Sequence, residues 1–152
     1  MTEPHQYLLT KVQQYCNYQE RCLYEVKTKL TEWQAQEKVI EEIINHLIRN
    51  DYLNEERYAK SFATGKFRQK HWGKNKIIYE LKKKRIPDLI IQIGLQDIDE
   101  NEYEETLKNL LLKKSSEIKE TDSQKKKYKI ATYGTNKGFR SGLVWDIINK
   151  YL

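Results

Sequence analysis

Between Asn54 and Ile86 the chain carries eleven lysines and arginines against three acids, and aromatic rings lie among them. The cations of interest are Arg57, Lys60, Lys66, Arg68, Lys70, Lys74, Lys76, Lys82 and Lys83, with Phe67, Trp72 and Tyr79 interleaved. Cationic side chains hold phosphates by charge without reading base sequence, and salt weakens the contact. Aromatic rings add stacking on bases or anchor a protein partner. The competing reading is that each lysine only solvates an outer face while the rings complete a core. For a single lysine that plainer reading is the better one. A net +8 over 33 residues is too lopsided for solubility alone, so the block as a whole reads as a binding surface. A second cluster, Lys125, Lys126, Lys127 and Lys129, is either a further contact to nucleic acid or to an acidic surface, or a charged turn.

Catalytic and metal chemistry find little to stand on. His5, His46 and His71 have no histidine or cysteine at ligand spacing, and Cys16 and Cys22 form no CxxC pair. Asp97, Asp99 and Asn101 have the spacing of the first calcium ligands in a helix–loop–helix site. Glu102 then stands where that loop needs glycine, and Lys108 where it needs glutamate. These acids read better as the opening of a helix, or as a face for a basic partner. No phosphate-binding glycine loop and no Gly-x-Ser-x-Gly elbow occurs. The expectation is a protein that is not an enzyme and needs no metal or cofactor. The two cysteines, at a helix junction, read as reduced, half-buried thiols. No apolar run approaches 18 residues, and Met1 to Gln6 lack a signal core, so a cytoplasmic protein without membrane contact is expected.

The elements that would carry these side chains are helical. Two prolines and six scattered glycines in 152 residues leave few breaks. Tyr7, Leu8, Val12 and Tyr15 share a face of a first helix. Asn17 with Glu20, and Thr31 with Gln34, have the spacing of helix-opening capping boxes. Val39, Ile40, Ile43, Ile44, Leu47 and Ile48 make a wide apolar stripe. Asn54 caps a helix with Tyr58, Ala59, Phe62 and Ala63 inward, and Gly73 precedes one with Ile77, Ile78 and Leu81 inward. Pro87 fits the first turn of a helix over Leu89–Leu95. Asp99–Ile118, Ser123–Tyr133 and Ser141–Leu152 follow, the last with Val144, Ile147, Ile148 and Tyr151 inward, and the polar stretch Ser115–Lys127 reads as mobile. Tyr24-Glu25-Val26-Lys27 echoes Tyr79-Glu80-Leu81-Lys82, and Lys137-Gly138-Phe139 matches Lys84-Arg85-Ile86. The expected fold is all-α: three tandem three-helix repeats, 1–53, 54–98 (basic) and 99–152, forming an elongated, curved body. Charge runs in blocks along it, −2 over 1–53, +8 over 54–86, −7 over 87–107 and +7 over 108–152. Such alternation suits a surface that meets both acidic and basic partners.

Several of these residues also resemble a known family. Tyr52-Leu53-Asn54-Glu55-Glu56-Arg57-Tyr58-Ala59, then Gly73, Ile77 through Glu80-Leu81, and Lys84-Arg85-Ile86 are similar to the pattern of the RecX recombination regulators. Lys129-Ile130-Ala131, Lys137-Gly138-Phe139 and Trp145 to Ile148 resemble that family's closing signature. Two positions depart from it. Arg85 stands where glycine is usual, which deprives that helix end of an easy left-handed residue. Gly134 stands where leucine is common, which weakens its helix.

The resemblance implies three tandem three-helix units, no catalytic centre, and binding in the groove of the filament that RecA recombinase forms on single-stranded DNA. It further implies restraint of RecA's ATP turnover, strand exchange and co-protease role. On that reading the partners are RecA and single-stranded DNA, with double-stranded DNA as a further one, and the chain is a monomer. Two alternatives stay open: a general nucleic-acid-binding helical protein without a recombinase partner, and a scaffold that binds only proteins through its acidic block.

Overall fold

The computed structural model describes residues 3–152, so the reading of Met1 and Thr2 lies outside the described residues. Among these the chain forms helices and no strand: α1 (Glu3–Tyr18), α2 (Leu23–Glu32), α3 (Glu37–Arg49), α4 (Glu55–Lys70), α5 (Lys74–Lys83), α6 (Asp88–Leu95), α7 (Glu100–Glu117), α8 (Ser123–Asn136) and α9 (Ser141–Tyr151). None is long and apolar enough to cross a membrane. Packing gathers them into two compact units, Met1–Ser61 with Leu81–Gly94, and Phe62–Glu80 with Leu95–Leu152.

Local signals open several helices as expected. Asn54 Oδ1 accepts the Arg57 N–H at 3.0 Å ahead of α4, and Asp99 Oδ2 accepts the Glu102 N–H at 2.8 Å ahead of α7. Asp122 does the same for α8, accepting from Lys125 N–H at 2.9 Å. The polar stretch Ser115–Lys127 holds the end of α7, a non-helical link and the start of α8, and α8 runs past Tyr133 to Asn136.

Other starts differ from the expectation. α1 continues through Asn17 to Tyr18, so Asn17 caps nothing. α2 begins at Leu23, where the Glu25 carboxylate accepts the Cys22 N–H at 3.0 Å, five residues on from the pair expected. Thr31 lies inside α2, its hydroxyl donating to the Lys27 carbonyl at 2.8 Å. Pro87 precedes α6, its carbonyl accepting from Ile91 N–H at 3.0 Å.

The second helix of each successive trio, α2, α5 and α8, ends in the same turn. Ala35, Ile86 and Phe139 donate back to the carbonyls of Leu30, Leu81 and Gly134, while Gln34, Arg85 and Gly138 donate to Thr31, Lys82 and Thr135. The residue between is left-handed in all three, with φ of 61° at Gln34, 60° at Arg85 and 103° at Gly138. This paired bonding satisfies carbonyls that a helix end otherwise orphans. Arg85 therefore adopts the conformation its side chain disfavours, and its guanidinium lies 5.1 Å from the Tyr24 ring centre. Aligned on these turns, Val26 corresponds to Ile77 and not to Leu81, so the Tyr24–Lys27 echo is one helical turn out of register. Trp33-Gln34-Ala35 is the third copy of the closing motif.

In the first unit Leu9, Val12 and Cys16 of α1 pack with Val26 and Leu30 of α2 and with Val39, Ile43, Ile44 and Leu47 of α3. Leu9, not Tyr7, faces this core; Tyr7 is 67% exposed. α4 crosses α6 at Ala59, so closely that a Cβ on Gly94 would lie 2.8 Å from the Ala59 carbonyl carbon. Cys16 and Cys22 are free and buried, more deeply than the half-buried thiols expected. Burial pushes the Cys16 thiol up to about 11 and the Cys22 thiol to about 12, so both stay protonated at neutral pH.

In the second unit an aromatic column forms the centre. Phe67, Tyr103 and Phe139 stack with centroid spacings of 5.5 and 5.0 Å; each is nearly inaccessible, and such rings bury more apolar area than any other side chain. Leu107, Leu111, Ile130, Val144 and Ile148 surround them. Gly134 does not weaken α8: a Cβ there would lie 3.0 Å from Val144 and 3.2 Å from Leu111, so its small size lets α7 and α9 close in. Tyr151, expected inward, is 44% exposed.

Candidate nucleic-acid interface

The turn between α4 and α5 is fixed from two sides within the second unit. The Tyr103 hydroxyl accepts the Lys74 N–H at 2.8 Å. The carbonyls of Lys137 and Gly138, in the turn after α8, accept the N–H groups of Gly73 and Asn75 at 2.8 and 2.9 Å. Those donors open α5 and would otherwise lack partners. The two backbones touch here, since a Cβ on Gly73 would meet the Gly138 carbonyl carbon at 2.2 Å.

This anchoring sorts the expected cations by what they touch. Four are engaged in ion pairs. Arg57 Nε lies 2.7 Å from Glu20 and a second guanidinium nitrogen 3.0 Å from Asp51, which ties the start of α4 to neighbouring links of the first unit. Arg68 approaches Glu102 at 3.4 Å, and Lys74 reaches Glu100 at 2.8 Å. Lys82 lies 3.8 Å from Asp88. Glu100 and Glu102 at the head of α7, with Asp88 of α6, thus neutralise part of the basic block. Lys60 makes no ion pair among the described residues, and Lys83 is exposed on α5. In the second cluster, Lys129 reaches Glu120 at 3.2 Å, while Lys125, Lys126 and Lys127 occupy the first turns of α8.

What remains at the α4–α5 turn is a concentrated group of lysines around Trp72. Lys66 Nζ lies 5.1 Å and Lys76 Nζ 4.6 Å from the Trp72 ring centre, within cation–π reach. Phe62 supports the same ring edge-on at 6.3 Å. Lys137 donates to the Lys70 carbonyl at 2.8 Å. Its ammonium is held below the ordinary lysine range, chiefly by partial burial and then by the charges of Lys76 and Lys70. Like charges set this close, with no acid paired to them among the described residues, leave a site that an anion would relieve.

Sequence spacing singled out Lys66, Lys70, Lys76 and Trp72 but missed Lys137, which enters from about sixty residues away; no local signal marks it. Phe67, expected among the ring contacts, is part of the aromatic column and closed to any partner. Tyr79 is 62% exposed on α5. Among the described residues no group of three or more His, Cys, Asp or Glu side chains could hold a metal ion.

The profile described as the second three-helix domain of RecX matches residues 54–95, which hold most of this turn. A protein named regulatory protein RecX in Clostridium acetobutylicum is 32% identical over 130 residues, 83% of this chain and 60% of that protein. Its namesake in Prosthecochloris aestuarii is 27% identical over 138 residues, covering 91% of this chain and 89% of the other. The crystal structure of RecX from Lactobacillus salivarius superposes with a TM-score of 0.89 at 27% identity, covering 99% of this chain and 97% of that one. The chain belongs to the RecX family. Its relatives there carry the name of regulatory proteins. The chain spans 60% of the length of the Clostridium acetobutylicum RecX. Nine helices without strand among the described residues agree with the all-α helical-repeat fold of the RecX structures it superposes on.

Proposed function

We propose that this RecX-family chain regulates RecA recombinase by binding the filament that RecA forms on single-stranded DNA, with Lys66, Lys70, Lys76, Lys137 and Trp72 meeting the phosphate backbone or an acidic filament surface. Its action is steric and electrostatic, and lowers RecA's ATP turnover, strand exchange and co-protease activity. The observation that carries this reading is the lysine group around Trp72, free of acidic partners, in a chain of this family. We read the chain as three three-helix repeats, 1–53, 54–98 and 99–152. The recurring closing turns of α2, α5 and α8, and the profile match over 54–95, support that division.

The test is single-strand-dependent ATP hydrolysis by RecA, titrated with the purified chain. Wild type lowers the rate. The double variant Lys70→Glu/Lys76→Glu, at surface positions that leave the core untouched, is weaker by roughly thirtyfold, because each lost phosphate contact is worth about 1 kcal/mol at moderate salt. Unchanged hydrolysis at saturating wild-type protein refutes the RecA reading. Retention on bare DNA that RecA does not increase points to the general nucleic-acid binder.

A further inference from the structure

The first unit carries an apolar groove that none of this explains. Two hollows, of about 770 and 440 Å3, meet at Leu23 and Ile48. The larger runs between α2 and α3 over Ile40 and Ile44, and the smaller continues to Ile90 of α6. Ile40, Ile44 and Ile48 follow one another at four-residue spacing, a stripe about 12 Å long at 1.5 Å per residue. Ile48 is 51% exposed and Ile40 partly buried, while Ile44 between them, at 6%, belongs to the core and forms the groove's floor.

The rim of this groove is acidic. Glu37 and Glu41 edge the larger hollow, and Asp51, Glu55 and Glu56 the smaller, against the single cation Lys27. Asp51 is paired with Arg57, and Glu55 accepts the Leu23 N–H at 3.4 Å. Glu37, Glu41 and Glu56 make no ion pair among the described residues, so their charge is unanswered. An apolar stripe of two to three helical turns, edged by one sign of charge, is the shape that takes a helix of the opposite charge. Nucleic acid and anionic lipid are repelled by the same carboxylates. The lysine-rich helices of a second copy do not fit either: α5 buries Ile77 and Leu81, and α8 buries Ile130 and Ala131, in their own cores.

We propose that this groove receives an amphipathic helix of a partner protein, its apolar residues seated on Ile40, Ile44 and Ile48 and its flanking lysines or arginines paired with Glu37, Glu41 and Glu56. The inference goes beyond regulation of RecA, and failure to inhibit RecA would leave it standing.

The experiment titrates the 15N-labelled chain of 152 residues with three synthetic helical peptides of about four turns. One has a leucine stripe flanked by lysines, the second the same stripe flanked by glutamates, and the third lysines without the stripe. The expected result is amide shifts grouped on α2, α3 and the start of α4 with the first peptide, and at least tenfold weaker binding of the other two. Ile48→Lys and Glu41→Lys, both at exposed positions and each checked for an intact fold by circular dichroism, weaken the first peptide by at least threefold. Shifts absent or scattered over the surface, equal binding of the second or third peptide, or undiminished binding to both variants would overturn the proposal.

Discussion

Replacing Gly73 with alanine tests the junction that fixes the α4–α5 turn. Its φ is ordinary, so the added methyl meets no backbone penalty, only its surroundings. Those surroundings are backbone: the new Cβ would lie 2.2 Å from the Gly138 carbonyl carbon, 2.3 Å from the Phe139 nitrogen and 2.4 Å from the Gly138 oxygen. Carbon atoms rest at about 3.5 Å or more, so the two segments must part by roughly 1 Å. That retreat stretches the bonds from Gly73 and Asn75 to the turn after α8 and loosens Phe139 in the aromatic column. A lost hydrogen bond costs about 1 kcal/mol, and a donor left buried and unmet about 1–3 kcal/mol. The expected loss is therefore about 3–5 kcal/mol, a large share of a typical domain's stability. Gly65→Ala serves as the control. It lies inside α4 with nothing within 4 Å of the added methyl, and should gain about 0.5–1 kcal/mol from helix propensity alone. Urea denaturation followed by circular dichroism reads both. A Gly73→Ala midpoint within 1 kcal/mol of wild type, or a Gly65→Ala that falls with it, refutes the reasoning.

Other outcomes follow from the closing turns and from one buried carboxyl. Gln34→Gly relieves a left-handed non-glycine residue with no side-chain contact to lose, and should raise stability by about 1 kcal/mol, or about 2–4 °C in Tm by calorimetry. Arg85→Gly should gain less, since it gives up the guanidinium over Tyr24; a larger gain at Arg85 than at Gln34 contradicts this account. Burial raises the Glu55 pKa, opposed by the Leu23 N–H and aided by the charge of Glu25. A raised carboxyl favours the folded state when protonated, so this contribution is present at low pH and lost as pH rises through the folded value. Glu55→Gln should then stabilise the protein at pH 7, and the gain should shrink as pH falls into the ordinary glutamate range. Denaturation midpoints across pH check it, and a gain that grows toward acid would be the wrong sign.

Features set by neighbours in sequence were readable in advance. Asn54 and Asp99 cap α4 and α7 because a side chain reaches an N–H three residues on, whatever the rest of the chain does. The same logic misled at Asn17 and Thr31. Helical residues of those types have the right spacing too, and only packing of Leu9, Val12 and Cys16 decides that α1 runs on. The basic block was visible as charge, but its division was not. Arg57, Arg68 and Lys74 look no different in sequence from Lys66, Lys70 and Lys76, and apart from Asp51 beside Arg57 the acids that claim them lie 26 to 37 residues away. Lys137 joined the group by the same long-range route. Gly134 read as a defect because a glycine's value depends on what crosses it, here Val144 and Leu111.

The contacts around Phe67 and Gly73 bear on modularity. A helical repeat invites excision, with the middle trio cut free and grafted elsewhere. Severing the chain after Ile98 would strip Tyr103 and Phe139 from Phe67 and remove the acceptors that cap α5. The excised piece would expose a large ring to water and leave its second helix frayed at the start. Moving α4 and α5 of this chain elsewhere therefore requires that Tyr103 of α7 and the turn after α8 travel with them.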